Sequence, residues 1–288
     1  MNAPATTLKR TASQTPFDLP IRRDLRWDFS GVTAQFVSDD ILVNHIWTAF
    51  SLAAPGIERF FINALRPLAS QIGDPKLRQD MDSMIAQEAM HAATHAKFNR
   101  ALALSGVPIR RATDHIDELV KWISTNFDEM DMVGMVAAGE HMLYSFARLY
   151  LDDETIGASM SAQARRLFEY HMLEEAEHGA VSHDIFRFFC GDNYFHRART
   201  ALIAVQAINR LLLGTVRILI EDGHDRITWR NWARFWSYGM LRPGLFRIMA
   251  ARLVQYLSPF YAMTFRLEDE VVRKRYEDRL YASQPGTD

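Results

Sequence analysis

Seven side chains of this sequence could hold metal ions, and their spacing repeats. Glu88 and His91 form a Glu-x-x-His pair, and Glu175 and His178 form another. On a helix, residues three, four and seven apart share a face. At roughly 100° per residue, His171, Glu175 and His178 therefore fall within about 60° of arc, and Glu88, His91 and His95 make a similarly narrow stripe. Two single glutamates stand in apolar surroundings: Glu58 just before Phe60 and Phe61, and Glu140 within a run of Met, Val, Ala and Leu. A lone buried carboxylate costs several kcal/mol, and four converging ones repel one another. Two divalent cations would cancel that charge, with neutral imidazoles completing the coordination. A donor set of oxygen and nitrogen without sulfur suits iron or manganese at a redox site, and zinc is admissible by ligand type. His171, one turn before Glu175, adds a third imidazole and makes the two metal positions inequivalent, which argues against simple iron storage.

Four helices must carry these groups. Apolar residues recur at helical spacing over residues 39–69, with Asp39 or Asp40 as N-cap and Pro55-Gly56 predicting a restart or kink just before Glu58. Asp74-Pro75 starts a second helix over 76–104, closed by Gly106 and Pro108. Residues 106–128 mix turn signals with a short amphipathic piece at 116–123. A third helix spans 131–151 and a fourth 161–189. Each ligand set thus has its own helix: Glu58, then Glu88 with His91, then Glu140, then Glu175 with His178. That is the order of dinuclear carboxylate bundles, in which two helices give one Glu and two give Glu-x-x-His. The expected fold is all-α, a ferritin-like four-helix bundle with a long crossover between its second and third helices. Residues 1–35 are expected to form a poorly ordered N-terminal arm, 36–190 the metal bundle, and 191–288 a C-terminal helical cap.

Composition narrows the partners. The 288 residues are 48% hydrophobic and 24% charged, with 33 basic and 35 acidic residues and a formal net charge of -2. Nothing there attracts nucleic acid. The single cysteine, Cys190, rules out an internal disulfide framework and a thiolate cluster, and fits a reducing, cytoplasmic setting. The N-terminus lacks an uninterrupted apolar core of a secretory signal. The most apolar stretch, 201–220, is broken by Gln206, Asn209, Arg210 and Arg217, so no transmembrane segment is expected. The Arg-rich, aromatic stretch 229–265 reads as a cap on the bundle, with peripheral membrane contact as the alternative. A homodimer is the default expectation.

The spacing His-x-x-x-Glu-x-x-His resembles the extended-histidine arrangement of the diiron arylamine N-oxygenases. The longer runs QEAMHAATH, GEHMLYSFA and HMLEEAEHGAVSHD resemble a bacterial family labelled predicted metal-dependent hydrolases, placed near the ferritin-like proteins. The resemblance spans about 36–189. It implies metal ligation by Glu58, Glu88, His91, Glu140, Glu175 and His178, with His171 as the extra ligand; His183 departs from it, standing where an apolar residue is expected.

Several neighbours invite supporting roles. Gln87 and Glu174 each precede a ligand Glu and can hold a histidine tautomer, His95 is either such a partner or a packed ring, and Tyr144 could pass electrons or protons. His141 is turned about 100° from Glu140 and reads as structural. Met90, Met135, Met142, Phe60, Phe61, Phe168 and Met172 are candidates for a substrate cavity or for core. The function these features point to is a non-haem diiron oxidase or oxygenase. It would use two iron ions and O2 on a small hydrophobic or aromatic molecule, with a separate electron donor where the chemistry needs one. A dinuclear hydrolase is the rival enzyme, and a storage or structural bundle the non-catalytic alternative.

Overall fold

A computed structural model describes residues 15, 18–21, 23–37, 40–263 and 267–282, leaving aside the side chains of 267–271. The described chain is helical throughout, 79% helix with no strand. Four long helices form the bundle: α1 (Ile41–Leu65), α2 (Pro75–Leu104), α4 (Glu129–Asp152) and α6 (Ala162–Cys190), with α3 (Arg110–Asn126) between the second and third. In this ring α1 packs on α2, α2 on α6, α6 on α4, and α4 on α1. The starts are set by short acceptors that satisfy the first free N–H groups. Asp40 accepts from Leu42, Asp74 from Leu77, Asp128 from Asp131 and Ser161 from Ala164. Asp39, the other candidate cap, lies outside the described residues.

The interruption expected at Pro55 does not occur, because α1 runs through it without a restart. Proline has no N–H, so the carbonyl four residues earlier, on Ser51, loses its donor. Asn99 of α2 supplies one, its Nδ2 donating to Ser51 O at 2.8 Å. Gly139 fixes a second close approach: a Cβ there would meet Phe61 Cζ at 2.9 Å. Glycine here lets α4 lie this near α1 without displacing the Phe61 ring, with Glu58 and Glu140 on the facing surfaces. The crossover is also longer than the short amphipathic piece expected at 116–123. It forms 17 helical residues whose buried Ala112, Ile116, Leu119 and Ile123 recur every third or fourth position against α1 and α7.

After a short turn of helix, α5 (Glu154–Ala158), the chain completes α6 and continues into α7 (Tyr194–Gly223), α8 (Trp229–Met240), α9 (Leu245–Tyr256) and α10 (Leu267–Ala282). Among the described helices, α7 is long and apolar enough by composition to cross a membrane, with a mean hydropathy of 1.6 over 18 residues, and it packs on α4, α1 and α3. α8 and α9 lie over one side of the bundle. His45 Nε2 meets Asp225 at 2.8 Å, Asn231 donates to the cap residue Asp40, and Trp47 Nε1 donates to Tyr238 at 3.2 Å. His141 is tied into the same fastening. Its Nδ1 lies 2.9 Å from Tyr261 Oη and its Nε2 3.2 Å from the Arg252 carbonyl, and burial pushes its pKa down to about 4.

Where it is described, the N-terminal arm rests on the bundle through buried Leu19, Arg23 and Val32, with more than half of its described residues exposed; just past it, Phe36 O accepts from Ser161 N at the start of α6. Residues 1–14 lie outside the described residues.

Candidate metal centre

All seven candidate ligands turn inward and are nearly inaccessible. Glu58, His91, His171 and Glu175 offer atoms within 4.8 Å of one another, and Glu88, Glu175 and His178 form a second such group. Glu175 Oε1 lies 3.1 Å from His171 Nε2 and 3.4 Å from His91 Nδ1, while its Oε2 faces His178 Nδ1 at 3.7 Å. Glu88 is divided in the same way, Oε2 3.4 Å from His91 Nδ1 and Oε1 3.0 Å from His178 Nδ1. Two carboxylates thus have one oxygen in each half of the cluster. Glu58 belongs to the first half, 3.7 Å from His171 Nε2, and Glu140 to the second, 3.6 Å from His178 Nδ1. The halves are unequal, two imidazoles in one and a single imidazole in the other.

The polar atoms at the centre lack ordinary partners. Both oxygens of Glu88, Glu140 and Glu175, with Glu58 Oε2, His91 Nδ1, His171 Nε2 and His178 Nδ1, are buried without a hydrogen bond of acceptable geometry. So many orphans in one place would be prohibitive for a core built to be empty. Donors held about 2.1 Å from a shared cation at right angles sit about 3.0 Å apart, close to the shorter of these spacings. The residues present therefore fit a pair of divalent cations.

The outer nitrogen of each imidazole faces a polar partner, which leaves the inner lone pair for a metal. His178 Nε2 donates to Gln87 Oε1 at 2.8 Å, and Gln87 is oriented because its own Nε2 donates to the Pro20 carbonyl and to Glu177. His91 Nε2 meets Glu174 Oε2 at 2.9 Å. The third relay is longer. Ser51 Oγ donates to Asn99 Oδ1, so it can only accept from His95 Nδ1, at 2.9 Å. His95 Nε2 must then accept from His171 Nδ1, at 2.8 Å, which leaves His171 Nε2 aimed at the cluster. Burial and neighbouring imidazoles hold His95 well below the usual histidine range, and burial and His91 lower His171 too, consistent with two neutral rings.

Gln87, Glu174 and His95 thus each stand behind one ring. Tyr144 packs against Gly179 on α6, just past His178. His183 is buried with its ring edge-on to Tyr261, away from the cluster. Of the cavity candidates, Phe61 and Met142 line open space, whereas Met135, Phe168 and Met172 are filled core and Met90 is half-buried.

Sequence reasoning missed the group behind Glu174. Arg23, buried on the arm, places Nη1 2.8 Å from Glu174, Nη2 2.6 Å from Glu177 and Nε 3.2 Å from Glu277 of α10. The available signal was an excess of inward acids, since Glu174 and Glu177 need a cation beyond those serving the ligands. Arg23→Met should take from both acids their nearest guanidinium, leaving Glu174 with His91 and Glu177 with Gln87 and the more distant Arg273. Metal affinity should fall about 10- to 100-fold in a chelator competition, with roughly 3–5 kcal/mol lost in urea unfolding.

Without metal, the cluster distributes protons among its own groups. Burial raises Glu58 and Glu140 well above the carboxylate range, reinforced by the neighbouring carboxylates. Burial opposes charging His91 and His178 but is outweighed by the surrounding acids, so both rise well above the histidine range. Burial likewise opposes ionising Glu175, yet the His178 charge and the imidazole hydrogen bonds hold it well below the carboxylate range. Metal must displace the protons carried by the raised groups, so affinity should fall as pH falls and uptake should release protons. Calorimetry in buffers of different ionisation enthalpy would detect this, and uptake without proton release would refute it.

A cavity of about 220 Å³ adjoins the cluster between α1, α4, α7 and α9. Its wall includes Glu58 at one place and is otherwise almost wholly apolar, with Ala54, Phe61, Met142, Val205 and Met249 among its residues and Asn209 at its rim. Phe50, on the same wall, packs edge-on against the His171 ring at 5.4 Å between centroids.

A family model described as "Predicted metal-dependent hydrolase" matches residues 21–262. No curated protein and no solved structure matches the chain.

Proposed function

The chain belongs to the predicted metal-dependent hydrolase family, and we propose that it is an O2-dependent dinuclear iron oxidase or oxygenase acting on an apolar molecule. The observation that carries this reading is the setting of the cluster. Its ligands are inaccessible to solvent, and beside them lies a cavity whose wall near Glu58 is built from Ala53, Ala54, Ile57, Phe61, Gly139, Met142 and Leu143. In a dinuclear hydrolase the cations themselves would carry the attacking water and hold the developing oxyanion, so the wall bears on the substrate: it favours an apolar molecule held away from water, as oxidation of a hydrocarbon requires and ester hydrolysis does not.

In this proposal Glu58, His91 and His171 would hold one iron and Glu140 and His178 the other, with Glu88 and Glu175 near enough to serve either. Two iron ions in this donor set would supply reduction of O2 and oxidation of the organic substrate. The protein's share is positioning. Gln87, Glu174 and His95 keep the imidazole lone pairs turned inward, Arg23 keeps Glu174 ionised as an acceptor, and the apolar wall excludes water and orients the substrate. Any electrons beyond those the substrate gives would come from a separate donor.

A hydrolase remains the second reading because the family's own description favours it. Oxygen dependence separates the two. Iron-loaded protein given a reductant and apolar candidate substrates should consume O2, and His171→Ala should consume it far more slowly while keeping the His178 half occupied. Equal turnover of an ester under anaerobic conditions, with zinc or manganese in place of iron, would overturn the oxidase reading.

A further inference from the structure

The surface of α8 carries more exposed tryptophan than a cap on the bundle requires. At about 100° per residue, Trp229, Trp232, Trp236 and Met240 fall within about 80° of arc, and Arg230 and Arg234 occupy the adjoining sector. Phe235 and Gly239, which are buried, lie on the other flank of the tryptophan stripe, beyond Trp232. Trp229, Trp232 and Trp236 are 74%, 49% and 55% exposed. Leu241, Val254 and Phe260, in the same stretch of chain, are exposed as well, Phe260 at 92%. Charge is equally one-sided: residues 226–263 contain six arginines and no Asp or Glu, in a chain whose net charge is -2.

We propose that this α8–α9 face seats the protein on an anionic lipid bilayer. Tryptophan favours the headgroup level of a membrane, where its ring is buried and its N–H stays wet. Arginine beside it complements anionic headgroups. A helix with one buried side, one aromatic side and one basic side has the form of an interfacial helix lying in the membrane plane. The exposed Leu241, Val254 and Phe260 distinguish lipid from a nucleic acid, which would use the arginines and stacked rings but gains little from aliphatic side chains. The face is also continuous with the apolar cavity. Trp236 stands 6.1 Å from Phe246 between ring centroids, and Phe246 is part of the cavity wall.

The test is co-sedimentation of the metal-loaded full chain with phosphatidylcholine vesicles, with and without phosphatidylserine, alongside its tryptophan emission. Wild type should bind the phosphatidylserine-containing vesicles with a blue shift and bind pure phosphatidylcholine much more weakly. The double variant Arg226→Glu/Arg230→Glu should lower the partition coefficient at least about tenfold, and Trp229→Ala/Trp232→Ala should abolish the blue shift. Unchanged helicity and metal content would establish that both variants fold. Quenching of wild-type emission by brominated lipid gives a readout that needs no variant. Equal binding to both vesicle types, no binding to either, or a face used instead for single-stranded DNA or self-association, with vesicle binding absent, would overturn the proposal.

Discussion

Glu175→Ala is expected to empty both metal positions, whereas Glu140→Ala should empty one. The difference follows from where their oxygens lie. Glu175 faces His171 and His91 with one oxygen and His178 with the other, and it belongs to both ligand groups. Glu140 approaches only the His178 half. Its loss leaves Glu58, His91, His171 and the shared carboxylates in place for one cation. The measurement is iron per chain after anaerobic reconstitution and desalting: near two for wild type, near one for Glu140→Ala, near zero for Glu175→Ala. Helicity should stay close to wild type, because the bundle is held by its long apolar contacts and its capped ends. Two ions retained by Glu175→Ala would mean that the shared position of its carboxylate has no role in holding metal.

The contrast between these residues was partly written in the chain. Helical periodicity dictates which side chains share a stripe, so His171, Glu175 and His178 had to project together, and short acceptors such as Asp74 and Ser161 marked where the helices begin. Periodicity says nothing about partners distant in sequence. Pro55 reads locally as a break, yet Asn99, on another helix, donates to the carbonyl that Pro55 leaves without a partner, and α1 continues. Arg23 lies 151 residues from Glu174 in an arm whose composition suggests disorder. Only the count of inward acids hinted that a buried cation was needed. Nor does an apolar stripe reveal whether its neighbours fill the space they face. Met135 and Met142 sit two turns apart on α4, but one is packed core and the other borders a cavity.

That cavity yields the second large expected effect. Val205, half-buried on α7, lines it from the side opposite the ligands, so enlarging this side chain alters the space without touching the metal cluster. The 220 Å³ could hold about seven water-sized groups at ~30 Å³ each, room for a short alkyl chain or one ring system. An indole in place of the Val205 isopropyl group would displace about three methylenes of such a ligand. At ~0.8 kcal/mol each, that is roughly a fiftyfold loss of affinity. Val205→Trp should therefore weaken binding of a ligand of that size, such as toluene followed by calorimetric titration, by about that factor while iron content stays near two per chain. The pairing of readouts separates causes: a variant that lost iron as well would point to a shifted bundle. One that bound the probe as wild type does would show that apolar ligands do not occupy this cavity, removing the main support for an apolar substrate while leaving the metal assignment intact.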